Sequence, residues 1–392
     1  MAARAGLPRT VVVLGMVSLA NDAASEMVLP LLPLFLTATL GAGPAIVGLI
    51  EGVAEATASI LKVLSGWLAD RGVGAKRLVL SGYAASAVSR PAIGLALGWG
   101  WVLGLRFADR VGKGLRTAPR DALIAAAVTP ASRGRAFGFH SAMDHAGAVI
   151  GPLAAFALLG AGLEIRQVFL WSVIPGAFVI ATIVAGLPPD PPVALAPRPR
   201  LRLRGVDRRL RALLLAAGIL AFASLPEAFL VLWAANAGVA IVWIPLLWAF
   251  ASAVKMAVAW PAGMLSDHLG RIPVLLAGWI LRVAILLVLA LTQAAGIWAW
   301  LLFVAYAAAL AINEAPERSL VGDASPPELR GTAFGLFHFV NGLFALPGAV
   351  VLGYLWQEMG PAAAFVTAAA VTTAGALSML LAVPRSLWRP VG

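Results

Sequence analysis

Residues 66–70 read GWLAD and residues 263–267 read GMLSD. Their first residues, Gly66 and Gly263, lie 197 positions apart. The same offset of 197 separates APRD at 118–121 from APER at 315–318, and RGRAFGF at 133–139 from RGTAFGL at 330–336. Three motifs that share one spacing without a gap mark an internal duplication. Working outward from them, the chain divides into an N-terminal half, 1–187, a linker, 188–210, and a C-terminal half, 211–392. Residues 188–211 read PPDPPVALAPRPRLRLRGVDRRLR, and proline and arginine at that density form a linker rather than a packed element.

The composition says what kind of halves these are. Of the 392 residues, 61% are hydrophobic and 12% charged, with a mean hydropathy of +0.92. A soluble domain is nearer half apolar and roughly 25% charged, so lipid must cover part of this surface. A membrane-crossing helix needs ~20 apolar residues. Cutting at charges, prolines and glycine clusters predicts twelve such helices, at 10–36, 46–69, 77–98, 100–125, 136–160, 166–187, 211–236, 240–265, 272–292, 297–322, 332–357 and 361–384. The fold class read from the sequence is therefore an all-α integral membrane protein, with twelve transmembrane helices in two six-helix halves. Parallel halves of this kind are a transporter architecture, with a substrate site expected near the bilayer midplane.

The net charge of +11 would point to nucleic acid in a soluble protein. Here the basic residues fall in alternate short gaps between apolar runs, among them Arg71, Lys76 and Arg77, then Arg133 and Arg135, then the arginines of the linker, Arg271 and Arg330. The opposite connections carry almost no charge, Glu164 and Arg166 excepted. The positive-inside rule puts both termini in the cytoplasm of a cell-membrane protein, with no nucleic-acid partner. The chain has no cysteine, which excludes disulfides and thiol chemistry. No G-x-S-x-G, phosphate-binding loop or H-E-x-x-H is present, so neither an enzyme nor a cofactor is expected. The apolar N-terminus lacks a cleavage site and reads as a retained first span.

Charge is concentrated at 106–121, RFADRVGKGLRTAPRD, which holds seven charged side chains in sixteen residues. At ~100° per residue, Arg106, Asp109, Arg110, Lys113, Arg116, Arg120 and Asp121 fall within an arc of about 140°. The spacing predicts one helix with a polar stripe turned into the bundle and ended by Pro119. Such a stripe needs partners, because a lone charge at mid-bilayer costs ~3 kcal/mol. The first half offers Asp22 and Glu26, Glu51 and Glu55, Arg90, and His140 and Asp144. The second half offers fewer: Glu227, Lys255, Arg282, Glu314 and Glu317. Asn341 stands where the repeat places Asp144. This asymmetry assigns proton coupling to the first half and leaves the second to shape the cavity.

The loop motif resembles the signature of the major facilitator superfamily, roughly G-x-L-[AS]-D-[RK]-x-G-[RK]. Gly66, Leu68, Ala69, Asp70 and Arg71 match its first copy, after which the glycine comes one residue late, at Gly74. Gly263, Leu265, Ser266, Asp267, Gly270 and Arg271 match the second copy more closely. The resemblance covers essentially the whole chain. It implies a transporter that works by alternating access, with Asp70, Arg71, Arg120, Asp121, Asp267 and Arg271 in cytoplasmic gating networks. Arg106 matches the family's buried arginine of the fourth span, although Asp109 and Arg110 replace the usual glutamine and glycine. Gly138, Gly147, Gly151 and Pro152 are similar to the fifth-span signature of proton-coupled exporters, without its closing glycine pair. The resemblance thus implies proton-coupled export of a small molecule by a monomer in the lipid bilayer. Alternating access can change the surroundings of Asp22, Glu26, Glu51, Glu55 and Asp144; Glu26, Glu51 and Asp144 are the expected proton or substrate carriers, Arg106, Arg110 and Lys113 their counter-charges, and Glu227 and Asn341 the cavity groups of the second half. HSAMDH at 140–145 keeps open a nickel-, cobalt- or iron-type cation exporter of the same fold. A non-transporting membrane sensor is the third reading.

Overall fold

The computed structural model describes residues 7–70, 74–129, 133–188, 208–292, 295–323 and 330–382, without the side chains of 62–70, 133–134, 208–210, 330–332 and 382. These residues are almost entirely helical. Ten helical segments are long and apolar enough to cross a membrane, beginning with Arg9–Thr39 and ending with Pro361–Leu381. The predicted third and fourth spans, Ala75–Ala92 and Trp99–Ala126, complete the twelve. Both fall short of the others in apolarity because they carry the charges that the protein buries.

Three spans are broken, and their sequences show why. The first runs as Arg9–Val28, then a turn at Leu32–Leu34 and a π-helical turn at Phe35–Thr39. Pro30 and Pro33 fall in that break and remove backbone donors. The seventh divides into Arg208–Phe222 and Glu227–Asn236, with Pro226 capping the second piece in an extended conformation. The sixth divides at Ser172 into Ile165–Trp171 and Val173–Gly186. In contrast, Pro119 does not end the fourth helix, which continues to Ala126. Pro119 deprives the helix of one donor, and helices packed among helices tolerate that loss.

The repeat recurs in the backbone. The turn after the first span holds Gly41 at φ 65°, and the turn after the seventh holds Gly238 at φ 88°, at the offset of the motifs. Both positions need the left-handed conformation that glycine adopts freely. Arg166, the exception to the loop-charge pattern, also finds its reason. Its Nη1 donates to the carbonyls of Gly94 (2.9 Å) and Ala96 (2.8 Å), which the end of the third span leaves open. Glu164 forms a reciprocal capping box with Gln167 at the start of the sixth span.

The chain forms two compact units, Met1–Leu31 with Ile60–Pro199, and Leu32–Ser59 with Arg200–Gly392. In the first, the first span packs on the fifth and sixth, and the third on the fourth, around Val11, Leu14, Val17, Val79, Tyr83, Ile124 and Ile183. In the second, the eighth packs on the tenth, the ninth on the twelfth and the seventh on the eleventh, around Leu213, Leu220, Leu275, Trp279, Leu320, Phe337 and Met379. Packing therefore follows a different line from the sequence boundary at 187, because Leu32–Ser59 joins the second unit. The cause is close backbone approach. A Cβ at Gly48 would strike the carbonyl of Ala349, one at Gly52 would strike Leu346, and one at Gly342 would strike Ser59. The linker 188–210 lies outside the described residues except at its ends.

Candidate functional site

Four of the seven charged residues predicted on one face of the fourth span are buried. Arg106, Asp109, Arg110 and Arg116 are buried, as are Gly112 and Gly114 between them. Asp109 is fully enclosed and takes three guanidinium groups: Arg90 Nε at 3.0 Å, Arg110 Nη2 at 2.8 Å and Arg106 Nη1 at 3.5 Å. Arg90, from the third span, also donates to the carbonyl of Asn21 (2.8 Å) and to Asn21 Oδ1 (2.9 Å) on the first span. Arg116 donates to Ser86 Oγ (2.6 Å) and lies over the Tyr83 ring. A Cβ at Gly112 would collide with the carbonyl of Gly82, so the third and fourth spans meet backbone to backbone. Lys113, assigned to the same stripe, is exposed. Asp109 is thus the shared counter-ion of an arginine cluster.

A second group joins the first span to the fifth. Ser18 Oγ donates to Asp144 Oδ1, and His140 Nδ1 lies 3.5 Å from Asp144 Oδ2. His140 is buried, and its Nε2 has no hydrogen-bond partner. One turn beyond Ser18, Asp22 accepts from Asn21 Nδ2 at 2.8 Å. Gly147 and Gly151 make this proximity possible. A Cβ on the former would strike the Leu19 carbonyl, and one on the latter the Ala23 carbonyl. Gly138, the first residue of the exporter-like signature, has nothing within 4 Å of such a Cβ and is no packing glycine. The Gly151 contact recurs at the repeat offset, where Gly348 meets the carbonyl of Phe222. That approach belongs to the duplicated architecture and carries no information on transport direction.

At the rim, Arg120 pairs with Asp121 at 2.9 Å. The repeat places Glu317 and Arg318 there in the second half, with the two charges exchanged. Arg271 bonds Asp267 and Ser266 within its own motif, and its Nε reaches Asp323 at 3.1 Å. Gly263, which opens that motif, stands in ordinary contact with Ala315. The side chains of Gly66, Asp70 and Arg71 lie outside the described residues.

The second unit contains a cavity of about 400 Å³. It is lined by Glu55, Glu227, Lys255, Arg282, Glu314, Glu317 and Asn341, with Trp279 and small apolar residues between them. Lys255 Nζ pairs with Glu227 Oε1 at 2.7 Å. Arg282 Nη2 donates to the carbonyl of Ala223 at 2.7 Å, where the seventh span breaks. Glu227 and Asn341, expected as cavity groups of the second half, thus line one cavity together with that half's other charged side chains. Of the carboxylates whose surroundings alternating access is expected to change, Asp22, Glu26 and Asp144 belong to the first unit, and Glu51 and Glu55 to the second.

Two positions escaped the sequence reading. Ser18 lies one turn before Asp22 and two before Glu26, a spacing that marks it in retrospect. Asn313, suitably oriented, donates to the Leu275 carbonyl (3.2 Å) and accepts from Trp279 Nε1 (3.0 Å). The repeat relates it to Arg116, and both side chains tie their helix to the third helix of their own half. Among the described residues no three His, Asp or Glu side chains form a group able to hold a metal ion. His145 is exposed, and the metal-cation alternative has no ligand set among the described residues.

Twelve helices in two sequence copies, with a buried ionic network in one unit and a polar cavity in the other, define a multi-pass membrane transporter of small molecules. The family model described as Major Facilitator Superfamily matches residues 14–349 and 241–390. The chain belongs to that superfamily, and it is a secondary transporter, not an enzyme. An uncharacterized MFS-type transporter of Methanocaldococcus jannaschii is 31% identical over 361 residues, covering 90% of this chain and 89% of that protein. The multidrug resistance protein MdtH of Photorhabdus laumondii is 33% identical over 158 residues, 40% of this chain and 38% of that protein. The crystal structure of the nucleoside transporter NupG superposes with a TM-score of 0.81 at 12% identity, covering 96% of this chain and 100% of that one, a likeness of fold.

Proposed function

We propose that the protein exports a small organic molecule in exchange for protons. It acts as a monomer by alternating access in the cell membrane, with both termini in the cytoplasm. The observation that carries the coupling is the contrast between two carboxylates of the first unit. Asp109 is held by three arginines. Asp144 makes no ion pair with Arg or Lys among the described residues, and its partners are the Ser18 hydroxyl and the His140 imidazole. A carboxylate bounded by a hydroxyl and an imidazole can take up and pass on a proton, because each neighbour can act as donor or acceptor. Asp22 and Glu26 continue the same polar face of the first span.

Export is supported by the partial similarity to a multidrug resistance protein and by the resemblance of the fifth span to exporters, of which Gly147 and Pro152 are the features peculiar to the first half. The substrate is received in the cavity of the second unit. The test is flux in proteoliposomes, with cationic, neutral and anionic dyes as probes and a pH dye trapped inside. An imposed proton gradient is expected to drive dye against its concentration gradient, and a protonophore to stop it. Dye flux indifferent to both would refute the coupling.

A further inference from the structure

We infer that the cavity of the second unit takes an organic ammonium, an apolar body carrying a protonated amine with an oxygen acceptor nearby. This rests on the reading that the cavity receives the transported molecule. Its volume of about 400 Å³ suits a small organic ligand. The lining holds four carboxylates, Glu55, Glu227, Glu314 and Glu317, against two cations, Lys255 and Arg282.

The existing contacts decide which of these groups is left for a ligand. Glu227 is taken by Lys255, and Glu314 by Arg318 at 2.8 Å. Glu55 receives one hydrogen bond, from Ser59 Oγ at 3.3 Å, and no cation. Glu317 makes no direct hydrogen bond or ion pair among the described residues, and Arg282 and Arg318 act on it only at longer range. Asn341 turns a buried Oδ1 into the same lining without a donor. Glu317 and Asn341 Oδ1, which have no donor, and Glu55, which holds only the Ser59 hydroxyl, call for N–H groups that carry positive charge. A charge left unpaired in such surroundings is costly, so a cation that supplies the missing partner gains what the empty cavity lacks.

One observation runs the other way and sharpens the class. Arg282 is 4% exposed, lines the cavity, and has an Nε without an acceptor. It asks for a single oxygen on the ligand, a hydroxyl, ether or carbonyl. A carboxylate there would face Arg282 but set its charge against Glu55 and Glu317 as well. The body of the ligand meets Trp279, whose indole is fixed by Asn313, together with Leu220 and Leu310. The lining therefore joins an apolar wall to a carboxylate-rich one, as an aromatic or aliphatic amine requires.

The experiment uses the full-length protein in detergent and three probes with one body: 3-(1-pyrenyl)propylammonium, the matching alcohol and the matching carboxylate. Binding is read as energy transfer from tryptophan to pyrene. The ammonium is expected to bind about tenfold more tightly than the alcohol, and the carboxylate more weakly than both. Glu317→Gln and Glu55→Gln should each bring the ammonium-to-alcohol preference severalfold closer to one, with monodisperse elution as the control for folding. Equal binding of the three probes, preference for the carboxylate, or a preference that survives the double variant would overturn the inference. The assay uses no gradient. An ammonium that binds with the expected preference yet is not pumped in proteoliposomes refutes the export reading and leaves the ligand class standing.

Discussion

Arg90 Nε lies 3.0 Å from Asp109 Oδ1 and joins the third span to the fourth through a carboxylate that is wholly enclosed. Arg106 and Arg110 share the same carboxylate, and Arg90 extends the link to the first span through Asn21. One anion thus organises three cations from two helices. Asp109→Asn keeps the shape and removes the charge, leaving three buried guanidiniums without their counter-ion. Breaking a buried ionic set in this way costs ~3–5 kcal/mol. The variant is expected to show a large fall in thermal unfolding temperature and poor membrane yield, read by fluorescence-detected chromatography after heating. A Tm equal to that of the wild type would show that the cluster does not hold the first unit together.

Arg106→Ala should behave differently, because Asp109 keeps Arg90 and Arg110. Folding is expected to survive with a loss of about 1–2 kcal/mol, in the range of one charged hydrogen bond, while transport falls to background. Arg106→Lys should rescue poorly, since an ammonium lacks the planar fork of a guanidinium. Transport and Tm measured on the same preparations separate the two effects. Full transport by Arg106→Ala would remove this arginine from the mechanism.

The glycines of the fifth span make a steric prediction. Gly147→Ala and Gly151→Ala each push a methyl against a carbonyl of the first span, and overpacking of this kind costs ~1–3 kcal/mol. Gly138→Ala meets open space and gains helix propensity of about 1 kcal/mol. Thermal shifts of opposite sign are expected. A shared sign for Gly138→Ala and Gly151→Ala would contradict the close contact of the first and fifth spans.

Much of this was legible in the sequence because the chain states it twice. The offset between Gly66 and Gly263 reaches down to the turns at Gly41 and Gly238 and to the paired side chains Arg116 and Asn313. The buried stripe from Arg106 to Arg116 could be read because the seven charges of residues 106–121 on one helical face have no use in lipid. Lys113 shares that face by angle yet is exposed, since angle alone does not say what stands opposite. The cavity of the second unit was not legible. Glu227, Arg282 and Glu317 are scattered over three spans, and no periodicity links residues that meet only through the break at Ala223. The association of Leu32–Ser59 with the second unit was hidden for a related reason: glycines such as Gly48 and Gly52 read as small residues, and nothing local names the helix they will touch.

The last prediction concerns Asp144. Its hydrogen-bonding and ion-pairing neighbours, Ser18 and His140, are neutral or titratable, and Arg120, which acts on it at longer range, is paired with Asp121. Asp144→Asn replaces the carboxyl with an amide of the same shape, a mimic of the protonated acid. The second half already holds an asparagine at the related position, Asn341, so such a helix accommodates the amide. Net pumping against a gradient should stop for every dye, while binding persists and exchange of labelled for unlabelled dye across the membrane continues. Ser18→Ala removes one hydrogen-bond donor from the carboxylate. The pH profile of transport should then change, with the maximal rate lowered only severalfold. Transport rates measured between pH 5 and 9 on both variants make the comparison. Active pumping by Asp144→Asn would take this residue out of the proton path, and a pH profile unmoved by Ser18→Ala would mean that the hydroxyl on the first span only packs against it.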